Sequence, residues 1–210
     1  LFAASGVPVW AFVARLHGPR TAYLWTVGYL TYWGLQEALA FDFHEIAFAA
    51  PLIALAIERI DAGRWAHATI AIALLALVKE DLPILVAFFG LYVAWRARRR
   101  LLGAALVAYG IGAYLLITKV AMPALGGHQY AYWSYGQLGP DLPHALWHIV
   151  AHPLSSARLL VTPAVKWHTE LMLLAPFAFL TLASPLALLA VPLLAERFWS
   201  SGHQYWVTAF

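Results

Sequence analysis

The chain has no cysteine among its 210 residues and only two methionines. No thiol can act as a nucleophile, close a disulfide or bind zinc or an iron–sulfur cluster, so any metal would have to use His, Asp or Glu. Charge is scarce too: Asp, Glu, Lys and Arg make up 11% of the residues, against about a quarter in an ordinary soluble domain. With 63% hydrophobic residues and a mean hydropathy of +0.72, that scarcity excludes a water-soluble domain, a disordered segment, a coiled coil and a nucleic-acid-binding module. A Gly-rich phosphate loop, a G-x-S-x-G elbow and an H-E-x-x-H zinc motif are also missing. Leu1 opens inside an apolar run without a basic leader. The expectation is an all-α integral membrane protein, a single transmembrane domain over residues 1–210 that is a fragment of a longer chain.

Apolar runs fall at 1–16, 21–39, 46–58, 66–78, 82–95, 101–122, 168–182 and 185–195. They are continuous rather than alternating, which suits helices and not barrel strands, and they predict a polytopic bundle of about eight spans. Several runs are shorter than the roughly 20 residues that cross a hydrocarbon core, so those helices must tilt or extend into their flanks. Arginines occupy every second connection: Arg15 and Arg20, then Arg59 and Arg64, then Arg96, Arg98, Arg99 and Arg100. The positive-inside rule assigns these connections to the cytoplasm and the others to the outside of a cell membrane. Eight of the ten acids and seven of the nine histidines then fall on the outer side, all except Glu58, Asp61, His17 and His67. Segment 123–167 is too polar to span and too aromatic for a linker, so it reads as an extracytoplasmic loop with a short interfacial helix over 143–150. Gly127-His128-Gln129-Tyr130 recurs as Gly202-His203-Gln204-Tyr205.

Four constellations could carry chemistry. Phe41-Asp42-Phe43-His44-Glu45 places three ionisable groups at the mouth of a span, where a carboxylate beside an imidazole can act as general base, as part of a metal site, or as a clamp on sugar or phosphate. Its bland alternative is a capping box with Asp42 as N-cap and Glu45 three residues on. In Lys79-Glu80-Asp81, Asp81 can cap the next helix, while Lys79 can bind a phosphate with Glu80 tuning it, or snorkel as a surface pair. In Glu196 to Trp206, Arg197 and His203 exceed what an aromatic belt needs and sit beside stacking rings such as Tyr205. His144, His148 and His152 share a helical face at i, i+4, i+8, but no acid shares it, and they read better as the polar edge of an interfacial helix than as a metal site.

These residues carry a resemblance. Phe41-Asp42-Phe43-His44-Glu45, Lys79-Glu80-Asp81, the arginine run ending at Arg100, and Trp199-Ser200-Ser201-Gly202-His203-Gln204-Tyr205 occur in order over most of the chain. In this the chain resembles DUF2079, a family of polytopic prokaryotic membrane proteins grouped by fold with the GT-C glycosyltransferases. The resemblance implies transfer of a sugar from a polyprenyl-phosphate donor on the outer face of the lipid bilayer. It makes Asp42, His44 and Glu80 candidate catalytic groups, and Lys79, Arg197, His203 and Tyr205 candidate ligands of phosphate and sugar. The GT-C acid usually lies in the first outer loop, which would precede Leu1. The cofactor-free form is slightly favoured, with Asp42, His44, Glu45 and His203 an alternative set of ligands for Mg²⁺ or Mn²⁺. Asp42, His44, Glu80 and His203 are expected within about 10–12 Å of one another around a cavity. A transporter or flippase would instead place ionisable groups at the midplane, with Lys119 a partial case; a non-catalytic membrane protein would leave the outer groups scattered.

Overall fold

The computed structural model describes residues 1–40, 44–126 and 133–207. Every regular element among them is helical, as expected. The chain divides into two compact units, 1–115 and 116–210.

In the first unit, α1 (Phe2–His17) and α2 (Pro19–Leu30) form a hairpin about Gly18. Gly18 has φ 81°, a conformation that costs a side-chain-bearing residue energy, and Pro19 then starts α2 with its φ already fixed. The chain turns at Thr31 and Tyr32 before α3 (Trp33–Ala40), so the 21–39 run is two helices rather than one. A 3₁₀ turn (Glu45–Phe48) leads into α4 (Ala49–Asp61), and a three-residue turn leads to its antiparallel neighbour α5 (Trp65–Leu75). Helices α6 (Leu82–Arg96) and α7 (Arg100–Leu116) complete the unit. Ile72, Leu75, Leu82, Leu85, Val86, Phe89 and Val93 are sealed in its core. Glycines let α6 and α7 touch backbone to backbone: a Cβ on Gly90 would stand 2.6 Å from the Gly103 carbonyl oxygen, and one on Gly110 would stand 2.5 Å from that of Pro83. Such small-residue contacts are how helices approach closely where the surrounding medium gives no hydrophobic drive.

In the second unit, a π turn (Ile117–Ala121) and α8 (Met122–Gly126) continue the helical course begun at Arg100. Helix α9 (Leu142–Ala151) covers the expected interfacial helix, and Asp141 caps it by accepting the His144 N–H at 3.0 Å. Leu146, Trp147 and Val150 form an exposed apolar face on α9. Pro153 starts a further helix, α10 (Pro153–Val161). Next come α11 (Ala164–Leu174) and α12 (Ala187–Trp199). The 168–182 run is not one span. After Leu174 the chain passes through two 3₁₀ turns (Ala175–Phe177 and Leu180–Ala183), with Ala178 and Phe179 both left-handed. Pro176 lacks the N–H that would continue the helix.

Among the described residues, Arg100–Gly126 is the one helical stretch, 27 residues, both long and apolar enough to cross a bilayer. Trp65–Leu75 and Leu82–Arg96 are apolar but shorter. At 1.5 Å per residue they extend about 16 and 22 Å, short of a hydrocarbon core of about 30 Å. Among the described residues the architecture is therefore all-helical, with one helix of spanning length. Leu24, Val27, Ile70, Leu77 and Leu101 nonetheless face outward.

Candidate functional site

The first unit has two chemically different ends. At one, Arg15 near the end of α1 donates to Oε1 of Glu58 at 2.7 Å and to Oδ2 of Asp61 at 3.0 Å, both in the last turns of α4. The second oxygen of buried Glu58 lies 3.2 Å from Nε of Arg59. The Arg99 guanidinium stacks 4.4 Å from the centre of the Trp65 ring, at the start of α5. The turns at Gly18, 62–64 and 97–99 thus gather together, and with them the three arginine clusters. Because α4 and α5 pack antiparallel from that point, the turn carrying Glu45 and the connection 76–81 lie at the opposite end.

At that opposite end, Nδ1 of His44 is 2.9 Å from Oε2 of Glu45, and both side chains are about half exposed. Glu45 thus holds an imidazole, and neither side chain caps the 3₁₀ turn. Asp42, the proposed partner in a capping box and candidate catalytic acid, lies outside the described residues. Nζ of Lys79 is 2.8 Å from Oδ2 of Asp81. Asp81 stands at the N-cap of α6 but makes no capping hydrogen bond, so the capping explanation of this acid is corrected. Its Oδ1 is buried without a hydrogen-bond partner among the described residues. Lys79 is paired by Asp81, and Glu80 has no ion-pair partner among the described residues.

In the second unit, the closing loop carries Arg197, His203 and Tyr205. Arg197, in the last turn of α12, donates to the Val207 carbonyl at 2.6 Å, and burial pushes its guanidinium below its ordinary pKa. His203 is exposed and meets Trp206 edge to face at 5.7 Å; Tyr205 is exposed beside it. His144 is held by Asp141 at 2.6 Å and His148 by Ser156 at 3.1 Å. Among the described residues, no three His, Asp or Glu side chains gather as a metal would require.

Sequence reasoning missed what fastens this loop. Lys166 is only 1% exposed. Its ammonium donates to the carbonyls of Leu159 at 2.7 Å and Phe198 at 2.6 Å, in the last turns of α10 and α12, and lies 4.3 Å from the centre of the Trp206 ring. A cation at two helix C-termini meets the negative ends of both dipoles. Burial lowers its pKa all the same, with nearby Glu170 opposing the shift. One turn on, Thr169 donates to the Trp206 carbonyl at 2.6 Å. The indole N–H of Trp199 donates to Ser156, and the Ser200 hydroxyl donates to that of Ser134. Lys166 and Thr169, three residues apart on one helical face, both reach the loop, but that spacing alone does not signal the carbonyls they meet.

A match to the family described as "Predicted membrane protein (DUF2079)" covers residues 1–209. Neither a curated protein nor a solved structure matches the chain. The chain belongs to the DUF2079 family of predicted membrane proteins.

Proposed function

We propose that this protein is a multi-pass membrane glycosyltransferase of GT-C type, which takes a sugar from a polyprenyl-phosphate donor at the extracytoplasmic face. The observation that carries the reading is the sorting of ionisable groups in the first unit. His44–Glu45 and Lys79–Asp81 lie at one end, and the arginine turns lie at the other. By the positive-inside rule the arginine end is cytoplasmic, which turns the histidine and carboxylates outward.

The chemistry is an inverting displacement. His44, oriented by Glu45, takes the proton of the acceptor hydroxyl, whose oxygen bonds to the anomeric carbon. The bond from that carbon to the lipid phosphate breaks, and the phosphate leaves with the electron pair. Lys79 offsets its charge, with Asp42 and Glu80 completing the acid–base set; in the second unit Arg197 is a separate candidate for phosphate, and His203 and Tyr205 for a sugar. The bond to Val207 fixes the plane of the Arg197 fork for bidentate recognition of phosphate. If Mg²⁺ or Mn²⁺ takes part, His44 and Glu45 offer two ligands and Asp42 a third.

The test is transfer from a radiolabelled polyprenyl-phosphate sugar by the full-length protein. His44→Ala is expected to lower the rate by about 10²–10⁴, with Asp42→Asn, Arg197→Gln and His203→Ala also reduced. Equal transfer by all variants removes these residues from the mechanism.

One observation favours a transporter or flippase instead. Lys119 lies in a π turn within the stretch of spanning length, and the chain from Ala164 to Trp199 is broken by 3₁₀ turns. Discontinuous helices and an ionisable residue within a span are features of transport pathways. Passage of a lipid-linked sugar across vesicles without transfer, abolished by Lys119→Met, would select this reading.

A further inference from the structure

The arginine end of the first unit carries more positive charge than the fold uses. Eight arginines belong to it, and Glu58 and Asp61 are its acids. Those two acids are engaged by Arg15 and Arg59. Arg20, Arg64, Arg96, Arg98, Arg99 and Arg100 are all exposed, and no carboxylate among the described residues forms an ion pair with any of them. Six guanidinium groups therefore stand without counter-charge on one surface.

Two features make this a prepared surface and not a loose tail. The close glycine contacts between α6 and α7 fix the ends of the 97–99 turn, and Arg98 within it is left-handed at φ 55°, so successive arginines emerge from a tight bend. Arg99 is also held over Trp65 at 4.4 Å. Trp95 and Leu101, on either side of the turn, are 64% and 89% exposed. A ring of guanidinium groups flanked by an outward indole and leucine matches a layer that is anionic above and apolar below, where the apolar groups enter the acyl region and the arginines meet phosphates.

We propose that this end is a docking surface for anionic phospholipid head groups, with Arg98, Arg99 and Arg100 at its centre and Arg20, Arg64 and Arg96 around them. The partner is the lipid phosphate within a bilayer leaflet. The inference does not depend on sugar transfer, since it concerns the end of the unit away from His44 and Lys79.

The full-length protein in detergent is offered equal amounts of phosphatidylglycerol and phosphatidylcholine in mixed micelles, and the lipids retained are counted by native mass spectrometry. Working in micelles removes any effect of the substitutions on membrane orientation. Phosphatidylglycerol is expected to be retained preferentially, less so as salt rises. The R98Q/R99Q/R100Q variant is expected to lose about fivefold of that preference per arginine removed. R98K/R99K/R100K keeps the charge and is expected to hold the preference within about threefold. The lysine variant and the salt series keep the test decisive should the glutamine variant fail to fold. Equal retention of both lipids by the wild type, an equal loss in the lysine variant, or displacement of phosphatidylglycerol by the same concentration of inorganic phosphate would each overturn the proposal.

Discussion

Apolar side chains dominate the buried set of the first unit, Ile72, Leu75, Leu85, Val86 and Phe89 among them, whereas the second buries Lys166, Thr169, Ser156 and Ser200 beside a few apolar residues such as Leu189 and Phe198. Apolar packing spreads stability over many small contacts, so a single deletion is partly absorbed by its neighbours. Hydrogen-bonded polar groups concentrate it: satisfied they fix one arrangement, and unsatisfied they cost the full price of desolvation. The closing loop of the second unit, which carries Arg197, His203 and Tyr205, depends on the concentrated kind. Its geometry is thus set by few residues, several of which lie in α10, α11 and the 133–139 segment.

The contrast breaks most sharply at Lys166. Lys166→Met keeps much of the side-chain volume but leaves the Leu159 and Phe198 carbonyls without their cation, at a cost of about 3 kcal/mol. Hydrogen exchange at amides 198–207 is expected to quicken strongly while α6 keeps its protection; unchanged exchange in the loop would contradict the clasp. The first unit also has a buried ionic contact, and Arg15→Ala tests it. Glu58 would remain buried with Arg59 alone, 3.2 Å away, costing about 2 kcal/mol because Arg15 is itself partly exposed. The α1–α4 contact is expected to loosen, with the second unit unaffected, and a double-mutant cycle with Glu58→Gln isolates the pair. The smallest effect belongs to Asp141. The His144 backbone N–H, and then its ring, hold the Asp141 carboxyl below its ordinary 3.8. A depressed carboxyl stabilises the fold above the unfolded value and loses that contribution as pH falls through the folded one. The first turn of α9 is expected to fray below pH 3.8, followed by exchange at amides 144–147, and Asp141→Ala should fray at neutral pH.

Helix positions were largely legible because hydrophobic burial leaves continuous apolar runs: 82–95 became Leu82–Arg96 and 101–122 became the core of Arg100–Gly126. The breaks were less legible. Hydropathy does not register the turn at Thr31 and Tyr32 or the left-handed pair Ala178 and Phe179, although Pro176 and Pro185 marked the second region. The site motifs could be read as chemistry but not as partners. Lys79 turned out to be held by Asp81, and Arg197 bonds Val207. Lys166 went unnoticed because its role arises from helix C-termini that are remote in sequence, and no spacing rule records carbonyl convergence.

The 210 residues contain no cysteine, so single cysteines placed among them test sidedness once any cysteine elsewhere in the full-length protein is replaced. Single cysteines at Glu80 and Arg98, in full-length protein in intact cells, are exposed to a membrane-impermeant maleimide before and after permeabilisation. Glu80→Cys should label in intact cells and Arg98→Cys only after permeabilisation. Labelling of both from the same side would contradict the assignment of the two ends to opposite faces of the bilayer, and with it the outward-facing site.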